Sequence, residues 1–121
     1  MTEGGPITAL AAWLKEIALA YPEASEEHPW GDPVYKVAGK VFLFTSVREG
    51  GLNVTVKLPR SYEFALEYPF ASPARYGLAR GRWARCRFEA EDTVDRERLA
   101  AWIEESWRAV APKRLVKAHP T

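Results

Sequence analysis

A two-layer α+β domain in the order α-β-β-β-α-β-β-α, with an antiparallel sheet covered on one face by helices, is predicted by three features of this 121-residue sequence. An apolar stripe of helical period opens the chain, and a second one closes it. Between them lie short segments of alternating polarity separated by Gly-containing turns, which pair neighbouring strands antiparallel.

Ile7, Leu10, Ala11, Leu14, Ile17, Ala18 and Tyr21 recur at steps of three and four, so they share one face of a first helix. Pro6 suits its first turn, where a missing N–H leaves nothing unpaired, and Pro22 marks its end. Trp13 falls off this stripe and either covers a neighbouring element or is exposed. An acidic loop follows. Val34 to Val37 and Lys40 to Thr45 read as two strands joined at Ala38-Gly39, where glycine tolerates positive φ. After Gly50-Gly51, Leu52, Val54, Val56 and Leu58 alternate with Asn53, Thr55 and Lys57, which predicts a strand with one buried and one wet face.

Pro59 opens a short helix through about Glu67, with Tyr62, Phe64, Ala65 and Leu66 as its apolar contacts. The breaker-rich Tyr68 to Pro73 reads as a loop, followed by a weak strand near Arg75 to Ala79 and a turn at Arg80-Gly81. From Arg82 to Phe88 a strand returns, with Ala84, Cys86 and Phe88 facing the core and Trp83, Arg85 and Arg87 facing away. Thr93 or Asp95 caps the last helix, whose stripe of Leu99, Ile103, Ser106 and Val110 is flanked by Trp102 and Trp107 before Pro112 stops it. Those tryptophans clamp the helix onto the sheet. The tail from about residue 112, with Lys113, Arg114 and Lys117, is basic and mobile at its end.

With 47% hydrophobic and 27% charged residues, the chain is expected to form one domain over residues 1–121. It contains no run of 18 apolar residues, and Met1-Thr2-Glu3-Gly4-Gly5 lacks the basic and apolar regions of a signal peptide, so a cytoplasmic protein without membrane association is expected. The single cysteine, Cys86, makes neither a disulfide nor a multi-cysteine zinc or redox site, and reads as a core thiol.

The lead-in His28-Pro29-Trp30-Gly31-Asp32-Pro33-Val34-Tyr35-Lys36-Val37, its continuation Ala38-Gly39-Lys40-Val41-Phe42, the strand ending Lys57-Leu58-Pro59, Trp83 at the start of a late strand and the closing Trp/Ser/Trp helix are ordered motifs spanning about residues 8 to 112. In these the chain resembles the MmcQ/YjbR family of small bacterial proteins. The resemblance implies the same two-layer α-β-β-β-α-β-β-α fold and, since members are commonly labelled DNA-binding, a nucleic-acid role. It carries over no functional residues. The loop from Pro69 to Gly81 departs from the family pattern, holding Tyr76 and arginines where members often have a tyrosine-, histidine- or lysine-rich segment.

The net charge of +1 conceals a sorting of charge along the chain. Residues 1–32 hold six acids and only Lys15, whereas residues 71–88 hold Arg75, Arg80, Arg82, Arg85 and Arg87 without an acid. Together with Tyr76 and Trp83 these arginines form the candidate nucleic-acid site, because guanidinium groups bind phosphate bidentately and an exposed aromatic ring stacks on an unpaired base. The competing reading pairs the arginines with Glu89, Glu91 and the acidic first third, and a pI of 7.9 is low for a dedicated DNA binder.

Elsewhere the signals are structural. His28 sits near Glu26, Glu27 and Asp32 on a loop, without a second histidine, and reads as packing or capping beside Trp30; Trp30 itself reads as a buried plug. His119 lies in the tail without a partner. No phosphate loop, nucleophile triad or metal-ligand spacing appears, so neither enzyme activity nor a cofactor is expected. The expectation is a non-enzymatic protein that binds DNA weakly through Arg75 to Arg87. The alternative is an adaptor for a protein partner on the open sheet face carrying Asn53, Thr55, Lys57, Trp83, Arg85 and Arg87. Arg82→Glu with Arg85→Glu is expected to abolish DNA binding while leaving the fold intact.

Overall fold

The computed structural model describes residues 5–120, so the signal-peptide argument made on the first residues lies largely outside the described ones. The elements are α1 (Pro6–Leu19), β1 (Ala24–Glu27), β2 (Val34–Val37), β3 (Lys40–Arg48), β4 (Gly51–Lys57), α2 (Tyr62–Ala65), β5 (Ala71–Pro73), a 3₁₀ turn (Leu78–Gly81), β6 (Trp83–Phe88), α3 (Arg96–Val110) and α4 (Lys113–Ala118). The six strands form one sheet in the order β1-β2-β3-β4-β6-β5, each neighbouring pair antiparallel.

The β2–β3 hairpin closes on Ala38 (φ 51°) and Gly39 (φ 82°), two successive left-handed residues whose twist matches that of the strands. Helices α1 and α3 bury their stripes against one sheet face, Leu10, Leu14 and Ala18 from α1 meeting Leu99, Trp102, Ile103 and Trp107 from α3 over Val54, Val56 and Cys86. Asp95 caps α3 by accepting the Arg98 N–H at 3.0 Å. Two polar side chains of α3 reach into the sheet layer. The buried Ser106 hydroxyl donates to Phe42 O at 2.6 Å and accepts the Lys57 N–H at 2.9 Å, joining β3 and β4. The buried Glu105 carboxylate accepts the N–H groups of Arg60 (2.7 Å) and Ser61 (3.0 Å) and the Ser61 hydroxyl (2.7 Å), fixing the approach to α2.

Four expectations are corrected. The acidic loop is an edge strand, β1, whose main chain pairs with β2; its two acids point to opposite faces, the partly buried Glu26 pairing with Lys15 of α1 (3.4 Å) and the exposed Glu27 with Lys36 (2.9 Å). The strand expected near Arg75 to Ala79 is a turn, because Tyr76 (φ 60°) and Gly77 (φ 80°) reverse the chain; the strand lies earlier, at β5, inside the segment read as a loop. The short helix spans only Tyr62–Ala65. The tail is ordered as α4, with Leu115 buried and Arg114 bound to Glu23 at 3.0 and 3.1 Å, and His119 packs against Tyr21 and Trp107 at ring distances of 5.4 and 5.0 Å. Trp13 covers the core edge under Arg96, whose guanidinium lies 5.0 Å from its ring. Among the described residues no helix is long and apolar enough to cross a membrane.

Candidate nucleic-acid interface

Period-two alternation on β4 and β6 decides which side chains reach the sheet face away from α1 and α3. The pairs Asn53↔Arg87, Thr55↔Arg85 and Lys57↔Trp83 bring the six side chains expected on this open face together. The face is not uniformly wet. Trp83 is only 9% exposed and meets Phe44 edge-on at 5.4 Å; like Val34 and Ala74, it is buried outside the main core cluster. The expectation of Trp83 as a stacking surface is therefore corrected, because the turn before β6 folds back over its ring and a methyl group at Gly81 would lie 3.3 Å from it. Asn53 is likewise buried, its amide donating to Ser46 Oγ at 3.2 Å.

The arginines divide by electrostatics. Arg82 is held by Glu63 and by Pro59 O (2.9 Å), and Arg87 by Glu89 at 2.8 Å. These two guanidinium groups hold the Glu63 and Glu89 carboxyls below the usual carboxylate range, chiefly by hydrogen bonding. For this pair the self-neutralised reading is right, although the acids come from α2 and the end of β6 and none from the first third of the chain. Arg85 Nη2 instead donates to the neutral Asn53 Oδ1 at 3.1 Å. Arg75, Arg80, Arg85 and Lys57 form no ion pair among the described residues, so their charge is open to an anion.

Two exposed aromatics complete the surface. Tyr76 is 95% exposed at the tip of the 75–77 turn. Trp30, expected as a buried plug, is 85% exposed. Its loop needs no plug, because polar contacts fasten it: Thr45 donates its hydroxyl (2.8 Å) and its N–H (3.2 Å) to Pro33 O, and Arg48 binds both Asp32 oxygens at 3.1 and 2.6 Å. Gly31 (φ 90°) turns the chain there, its N–H reaching His28 O at 3.3 Å. His28 is exposed and bonds Glu26 at 2.6 Å, so it neither packs on nor caps beside Trp30.

Trp30, Phe44, Thr55, Arg75, Tyr76 and Arg85 all line one groove of about 420 Å³ on the open face. Sequence reasoning placed Trp30 in the core and so missed this; the available signal was its position between Pro29 and Gly31, off any alternating or helical stripe. A hollow of about 670 Å³ at the β5 edge, between Phe70, Phe88 and Val94, receives from the arginine run only Arg87, which Glu89 already holds. Burial pushes the Cys86 thiol up to about 12, which removes it as a nucleophile at neutral pH. Among the described residues, no group of three or more His, Cys, Asp or Glu side chains is placed to hold a metal ion.

Comparison with known proteins gives a family match and a likeness to a solved structure. The YjbR family model matches residues 19–109, a range that contains the whole groove. A solved structure of a Deinococcus radiodurans protein with a DUF419 domain superposes with a TM-score of 0.69 at 23% identity, covering 89% of this chain and 83% of that one, a likeness of fold. No curated protein matches the chain.

Proposed function

The chain belongs to the YjbR family, whose fold names no ligand, and we propose that this member is a non-enzymatic protein that binds single-stranded nucleic acid, DNA in the first instance, on the open face of its sheet. The observation that carries the reading is the juxtaposition on one face of the uncompensated Arg75, Arg85 and Lys57 with exposed aromatic rings, the unpaired Arg80 lying in the adjoining 3₁₀ turn. Cations track a phosphate backbone, and the rings favour single strands, whose bases are free to stack. Four cations support only weak binding, with a log-log salt slope of at most about −3, taking about −0.7 per contact on a single strand. A nucleic-acid ligand implies a cytoplasmic chain, which suits the free thiol of Cys86.

The test is fluorescence anisotropy of labelled single- and double-stranded DNA at low and near-physiological salt, against the wild type and the Arg75→Glu/Arg85→Glu double variant. Arg82 is left unchanged, because reversing its charge would set it against Glu63. Salt-sensitive binding that favours the single strand and disappears in the double variant supports the reading. Absence of binding at low salt overturns it and leaves a protein partner for the same face.

A further inference from the structure

Trp30 comes from the loop between β1 and β2 and Tyr76 from the turn between β5 and β6, yet both border the same groove. Single exposed apolar residues are ordinary on a protein surface, but two large aromatics beside a cationic floor form a built arrangement. Neither ring is left in water by loose chain. The Trp30 loop is fastened through Asp32, Pro33 and Thr45, as described above. Tyr76 occupies left-handed backbone (φ 60°), a conformation unfavourable for a bulky residue, and the adjoining turn is closed by the Leu78 N–H on Arg75 O at 3.2 Å and the Arg80 N–H on Gly77 O at 3.3 Å. An ordered turn holding a large ring outward in a disfavoured conformation points to a use for that ring.

The groove floor narrows the ligand. Of its lining residues, Thr55 presents a hydroxyl, Arg85 a guanidinium fixed in place by a neutral amide, and Arg75 a second guanidinium without an ion pair among the described residues. A planar group with polar edges and an attached anion satisfies all three features at once. The volume of about 420 Å³ lies within the roughly 300–1,000 Å³ of small-ligand sites, so it accommodates single nucleotide units and not a duplex. Duplex bases are also stacked on one another and offer no free face.

We infer that Trp30 and Tyr76 are stacking platforms for unpaired nucleobases of a nucleic-acid strand whose adjoining phosphates lie on Arg85 and Arg75. This rests on the single-strand reading above and specifies what the protein recognises there: the bases as well as the backbone.

The experiment compares a labelled short oligothymidylate with an abasic phosphodeoxyribose strand of equal length, by anisotropy at low salt, for the wild type, Trp30→Ala, Trp30→Phe, Tyr76→Ala and Arg85→Ala. The wild type is expected to bind the base-bearing strand about tenfold or more tighter than the abasic one, since stacking on an aromatic ring supplies that much per base. Trp30→Ala and Tyr76→Ala each remove one ring's share of that preference, Trp30→Phe retains much of the Trp30 share, and Arg85→Ala weakens both strands. Equal affinity for the two strands, with Arg85 dependence intact, overturns the platforms while leaving backbone binding standing. No binding of either strand overturns both readings.

Discussion

Arg85 Nη2 donates to Asn53 Oδ1 at 3.1 Å across β6 and β4, so the central cation of the open face is held by a neutral amide where Arg82 and Arg87 are held by carboxylates. Position and charge are thereby separated. Arg85 is oriented without being neutralised, whereas Arg82, three residues before it, and Arg87, two residues after it, are tied to acids.

Asn53→Asp is therefore expected to turn this hydrogen bond into an ion pair and to weaken single-strand DNA binding at low salt, with the fold retained. Arg85→Ala is expected to lower the log-log salt slope in magnitude by about 0.7, one phosphate contact. Arg82→Ala is expected to leave that slope within error of the wild type. Salt titrations of the three variants by anisotropy check the set.

Ser106→Ala removes the hydroxyl that joins Phe42 O to the Lys57 N–H within the core. The Lys57 N–H and Phe42 O are left without that partner, and the expected loss of stability is about 1–3 kcal/mol. Urea denaturation should show a lower midpoint with an unchanged m-value, the signature of altered stability without altered compactness.

Glu105→Ala leaves the Arg60 and Ser61 N–H groups without their acceptor beneath α2. The expected cost is about 2–4 kcal/mol, from two partly buried donors at ordinary desolvation penalties. Glu105→Gln keeps one acceptor oxygen and is expected to lose roughly half as much in the same denaturation assay.

The Arg82 and Arg87 pairs make a prediction about acid. Their guanidinium groups hold Glu63 and Glu89 below the ordinary glutamate value of 4.5, so near that pH the folded chain binds fewer protons than the unfolded one. Their contribution to stability is complete above the ordinary value and is lost as pH falls through the lowered folded values. Glu63→Gln is expected to flatten the fall in Tm between neutral pH and pH values below 4.5. A fall as steep as that of the wild type would show that the exposed Arg82–Glu63 pair contributes nothing to acid sensitivity.

The composition of the open face was legible in the sequence because two alternating runs, Leu52 to Leu58 and Ala84 to Phe88, settle which side chains face the helices and which face away, and the β4–β6 register brings the second set together. Strands β1 and β5 were not legible. Ala24-Ser25-Glu26-Glu27 has no strand character of its own and becomes extended by pairing its main chain with β2. Pro73 disguised β5, yet at a sheet edge a missing N–H costs no ladder bond. The groove was least legible, since it depends on two loops meeting over one sheet face, and neither the outward rotation at Gly31 nor the left-handed Tyr76 leaves a periodic trace.

The most direct test of the open face as the binding surface is an NMR titration of the 15N-labelled protein with a short oligothymidylate at low salt, following backbone amides and tryptophan indole signals. Progressive shifts are predicted at Trp30 and its indole, Thr55, Tyr76 and Arg85, with the indoles of the buried Trp102 and Trp107 unmoved. Shifts confined to α1, α3 or the β5 edge, or no shifts at all, would contradict this prediction.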